Sequence, residues 1–159
     1  MSSNKSRHFN GTYFKYLALA SLVILYCLMF IGGYLESSGQ GLACPQWPLC
    51  PSGFLPSAQY LTEWIHRLIA AITGVMIIAT AVASWKVTGS HKNLRITGTL
   101  AAVFAASQIV LGAIVINTQL KATIVAIHNG IGILLFAMTL LTAIYAFKLP
   151  RGATIKASA

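Results

Sequence analysis

The sequence predicts an all-α integral membrane protein, a bundle of four transmembrane helices with both chain ends on the cytoplasmic side. Three observations predict it. Of 159 residues, 57% are hydrophobic and 8% charged, against about 25% charged in an ordinary soluble domain. Four runs reach the roughly 20 mostly apolar residues that a span requires, and in lipid such a run must satisfy its own backbone as a helix. Nine of the eleven Lys and Arg residues fall in segments that share one side if the helices alternate.

Residues 1–15 form a basic amino-terminal segment with Lys5, Arg7 and Lys15, and the first span covers 16–35. A signal peptide is the competing reading of that span. Its run is long for such a peptide and no A-x-A site follows, so a retained helix is expected. The loop 36–62, "ESSGQGLACPQWPLCPSGFLPSAQYLT", holds every proline except Pro150 and so excludes a continuous helix. The second span, 64–85, leads through the basic loop "KVTGSHKNL" to the third, 96–116. A turn at Asn117–Lys121 is short enough to make the third span and the fourth, 122–147, antiparallel neighbours. One transmembrane domain thus occupies 16–149, and the tail 150–159 is expected to be mobile. By the positive-inside rule the basic segments are cytoplasmic and the proline-rich loop lies outside a cell membrane. The net charge of +9 then reflects topology and contact with anionic lipid, not nucleic acid.

His66 and His128 stand out because ionisable residues inside spans are costly and default to function. His66 precedes Lys86 by 20 residues, and His128 precedes Lys148 by 20. At about 1.5 Å per residue both sit some 30 Å above the basic boundary. Equal depth on two parallel helices suits one planar ligand held by two imidazoles, and heme with two axial histidines is the best candidate. A zinc or copper site would need further ligands, of which Glu63 is one candidate. Ala70, Thr73, Gly74, Gly130 and Gly132 are small enough to leave room for a porphyrin, or to pack helices closely. His8 and His91 lie in polar segments and read as solvated.

Glu63 shares a helix face with His66. It could orient the imidazole, carry a proton or stabilise positive charge on a ligand, or favour a helix N-terminus. Arg67 points about 100° away from His66. It could hold a heme propionate, or simply snorkel outward. Cys44 and Cys50, six apart in the outer loop, are expected to form a disulfide, structural rather than redox-active because the spacing is not C-x-x-C. Cys27 reads as a buried small apolar residue.

"GLACPQWPLC", "EWIHRLIAAITG", "QIVLGAIVI" and "ATIVAIHNGIG" occur in the order seen in the heme A synthase family, which the chain resembles over residues 16–147. Members generally have eight spans in two four-helix halves, each half with a histidine pair. The amino-terminal half carries the cysteine loop and the catalytic glutamate. This chain resembles that half alone, as in the compact archaeal forms. Asn129 departs from the pattern, in which an apolar residue is common. The resemblance implies oxidation of the C8 methyl of heme O to the formyl of heme A for terminal oxidases. Oxygen and external electrons drive it, with Glu63 catalytic, His66 and His128 as axial ligands, and heme b, heme O or both bound. One histidine pair cannot serve substrate and cofactor hemes together, so a homo-oligomer is implied. A heme O synthase or a terminal oxidase is a possible contact. Two axial histidines also leave iron no open position. Either one histidine leaves during turnover, or electron removal creates a cation that water traps and Glu63 stabilises. Three other readings stay open: a membrane heme-b electron carrier, a quinone-linked thiol oxidase using Cys44 and Cys50, and a non-catalytic oxidase assembly partner.

Overall fold

A computed structural model describes residues 9–51, 53, 56–150 and 152–155. Lys5, Arg7, His8, Arg151 and Lys156 lie outside the described residues. Four helices dominate: α1 (Gly11–Ser37), α2 (Leu61–Lys86), α3 (Lys92–Asn117) and α4 (Ala122–Phe147). Each is long and apolar enough to cross a membrane. At about 1.5 Å per residue, 26 residues span close to 40 Å, more than the ~30 Å hydrocarbon core. The first three therefore overrun their apolar segments, because helical hydrogen bonding once nucleated continues into polar flanks. Between α1 and α2 the described residues leave the α-helical path, with a short 3-10 turn at Ala58–Tyr60.

The packing is a closed square. Helix α1 lies against α2 and α4, and α3 against the same two. Helices α2 and α4 are thus diagonal partners running in the same direction. The turn between α3 and α4 is tight, with Gln119 and Leu120 at positive φ.

At the basic end, two short strands, β1 (Phe9–Asn10) and β2 (Thr154–Ile155), pair antiparallel. The Gly11 N–H donates to the Ala153 carbonyl at 2.7 Å, and the Thr88 N–H to the Thr154 carbonyl at 2.8 Å. Ala153 and Leu149 join a core with Phe14, Ala18, Val87, Leu94 and Ala146. The expectation of a mobile tail is therefore corrected for residues 152–155. Their backbone groups find partners on β1 and on the α2–α3 loop, and their apolar residues find the helix ends. His91 is exposed but also functions as a cap: its Nδ1 accepts from the Leu94 N–H at 3.3 Å, and its ring meets Tyr145 edge-on.

The middle of the bundle mixes apolar packing with hydroxyls. Leu25, Ile77, Ala101, Ala105 and Leu135 form one cluster. Toward the basic end, Ser21 and Thr80 touch across α1 and α2 at 3.2 Å. With Thr139 and Thr142 they help to line a cavity of about 10 Å³, room for one water. These hydroxyls also donate to carbonyls one turn back, which removes the cost of burying them. Cys27 is exposed on the outer surface of α1, not buried as expected. A membrane helix has no need to hide a small apolar side chain from its surroundings.

Candidate functional site

Both histidines lie in the second turn of their helices, His66 on α2 and His128 on α4. This puts them at matching height on diagonal, parallel helices, and within electrostatic reach of each other. The Nδ1 atom of each ring is buried without a hydrogen-bond partner. Each ring rests against a glycine of the preceding helix. A Cβ on Gly32 of α1 would stand 3.2 Å from His66 Cε1, closer than the ring tolerates without shifting. One on Gly112 of α3 would stand 3.9 Å from His128 Cε1, an ordinary contact. The two hairpins thus present their imidazoles in the same way.

The arrangement fits a porphyrin iron. Two imidazoles on opposite sides of a bundle, unclaimed by protein partners, are the donor set an axially bound heme takes. Among the described residues no group of three or more His, Cys, Asp and Glu side chains converges to hold a metal ion. A zinc or copper site completed by Glu63 is not formed.

Glu63 is otherwise engaged. Only 3% exposed, it accepts the Cys44 N–H at 2.7 Å on Oε2 and pairs with Arg67 through Oε1. Arg67 Nη1 donates to the carbonyls of Gln46 and Pro48, and Nη2 to the Cys44 carbonyl and Glu63. The i,i+4 pair is a clasp that holds "CPQWPLC" over the end of α2. Both terminal nitrogens of Arg67 are filled by the loop and Glu63, so a bidentate grip on a propionate would require the loop to release them.

Cys44 and Cys50 form the disulfide. Its sulfurs lie in residues 0% and 3% exposed. Closing so small a loop contributes about 2 kcal/mol by restricting the unfolded chain, and its burial under the clasp suits a staple better than a thiol-exchange centre. At the same end, the second carboxylate, Glu36, accepts from Asn129 Nδ2 at 3.0 Å and ties α1 to α4 beside His128.

Two of the small residues expected to leave space for a porphyrin meet side chains of α3. Gly74 faces Ile109 of α3, and Gly132 faces the Gln108 amide. Nothing lies near the Cβ position of Gly130. The residues that sequence reasoning missed are Gly32, Gly112 and Gln108. A signal was present for each. Glycine inside a helix costs about 1 kcal/mol against alanine and asks for a reason. Gln108 is the one glutamine within the four spans.

Fold and site together define a four-helix membrane protein with a histidine on each of two diagonal helices at one end and a disulfide-closed loop clasped at that same end. The family described as Cytochrome oxidase assembly protein (COX15-CtaA) matches residues 56–159, and the chain belongs to that family. It is similar to the heme A synthase of Bacillus licheniformis, 28% identical over 137 residues, covering 84% of this chain and 45% of that protein. It is similar to that of Bacillus cereus (strain AH187), 30% identical over 144 residues, covering 86% and 45%. A third relative is a protoheme IX farnesyltransferase of Halobacterium salinarum, 30% identical over 129 residues, covering 80% of this chain and 28% of that protein. The chain spans about half the length of the heme A synthases it matches.

Proposed function

We propose that the chain acts as a heme A synthase, oxidising the C8 methyl of heme O to a formyl group in the cell membrane. The observation that carries this reading is the half-buried imidazole pair of His66 and His128, in the second turns of diagonal, parallel helices, each with a buried Nδ1 that has no hydrogen-bond partner. Family membership and the names of the relatives support it. His66 and His128 would hold the porphyrin iron, which would supply the redox chemistry. The rest is the protein's own work. The bundle excludes water, α1 and α3 set the height and orientation of the imidazoles through Gly32 and Gly112, and the clasped loop covers the open end. Glu63 contributes a carboxylate one turn beyond His66, with Arg67 as its counter-ion. Held by the Cys44 N–H and by Arg67, its carboxylate would stabilise positive charge developing at the reacting carbon.

One chain offers one histidine pair among its described residues. Two copies would offer two, one for substrate and one for a heme b cofactor. The kinship with a protoheme IX farnesyltransferase favours contact with the reaction that supplies a farnesylated heme. The buried disulfide argues against a quinone-linked thiol oxidase, because a shuttle thiol must be reached by its partner.

The test is the heme itself. Protein purified from cells with a heme O source is expected to release heme O, its hydroxylated product or heme A on acid extraction, read by mass. Release of heme b alone, from cells with and without that source, would remove the synthase reading.

We place the cysteine loop outside the cell and both chain ends in the cytoplasm. The charge asymmetry supports this. A cysteine placed at the exposed Ser38, in the same loop, is expected to react with a membrane-impermeant thiol reagent in intact cells. Labelling that appears only after lysis would reverse the topology.

A further inference from the structure

Gln108 sits on α3, one turn from Gly112, on the wall that faces His128. Its Nε2 donates to the His128 carbonyl at 2.9 Å. That contact fixes the amide, because the opposite orientation would set two oxygens against each other. It is possible only because residue 132 is glycine: a Cβ there would lie 2.8 Å from Gln108 Nε2. The other end of the amide, Oε1, is buried and has no partner. An unmet buried acceptor is costly, and none of the described side chains donates to it.

We propose that Gln108 Oε1 receives a hydroxyl of the bound porphyrin's side chain, making Gln108 a residue that recognises which heme is held. The inference rests on the heme O reading above. An acceptor selects a donor, which excludes ionised propionates and apolar methyl or vinyl groups. Heme O differs from heme b in carrying a hydroxyl-bearing farnesyl side chain, and that hydroxyl is the one neutral donor on its periphery. The same chemistry could come from a water, so the test must separate the two sources.

Iron mesoporphyrin and iron hematoporphyrin serve as probes, since they differ only in ethyl against hydroxyethyl side chains. Heme-free protein in detergent is titrated with each, and binding is read from the low-spin spectrum. The wild type is expected to bind the hydroxylated porphyrin about five- to tenfold more tightly, the worth of one net hydrogen bond. Gln108→Met should bind both alike, at close to the wild-type affinity for iron mesoporphyrin. Gly132→Ala, which displaces the amide while keeping its chemistry, should lose the preference as well. Equal binding of both porphyrins by the wild type would give the acceptor to water and overturn the proposal, as would a preference that survives in Gln108→Met. A wild type that binds neither porphyrin would instead overturn the heme reading beneath it.

Discussion

Replacing either His66 or His128 by alanine is expected to abolish the low-spin heme spectrum of the purified protein. Each imidazole is in the second turn of its helix, unpartnered at Nδ1 and braced by a glycine, so nothing nearby can take its place. Losing a partner of a metal ligand costs about 10- to 100-fold in affinity, and losing the ligand itself costs more. Retention after gel filtration should therefore fall by at least about a hundredfold. His91→Ala is the control: its ring caps α3 at the far end of the bundle, and heme content should not change. Wild-type heme content and spectrum in both site variants would remove the histidines from the site.

The second large effect concerns Glu63. Glu63→Gln keeps an oxygen to accept the Cys44 N–H but loses the charge that pairs with Arg67. Heme content is expected to stay near wild type, while heme A formation at equal heme O loading falls by at least about tenfold. The loop's integrity has its own readout. The Cys44–Cys50 bond should remain shielded from reductant in Glu63→Gln, whereas Arg67→Ala frees three loop carbonyls and leaves a buried carboxylate unpaired, a loss of about 3–5 kcal/mol. Unchanged product formation by Glu63→Gln would reduce Glu63 to a residue that holds the loop. Loss of heme would place it among the groups that retain the ligand.

What the sequence made legible was set by strong, local constraints. Four apolar runs have few structures open to them in lipid, so the helices and their order could be read directly. The matching heights of His66 and His128 followed from counting residues to Lys86 and Lys148. The rest depends on which helix faces which. Gly74 and Gly132 look like space for a ligand until α3 brings Ile109 and Gln108 against them. Gly32 looks like an ordinary small residue until His66 is seen to rest on it. The clasp joins residues about 20 positions apart through loop carbonyls, and backbone acceptors leave no trace in side-chain identity. Residues near Thr154 looked like a free end because their partners, β1 and Thr88, are distant in sequence.

The central claim is that both histidines of one protomer hold one heme. Co-expression of His66→Ala and His128→Ala chains, carrying different tags and purified through both in sequence, tests it most directly. Within such a mixed assembly no single protomer has a complete pair. The predicted result is heme-free protein with no low-spin spectrum. Recovery of a wild-type low-spin heme in the doubly purified assembly would mean that the two ligands come from different chains, and the site described here would be wrong.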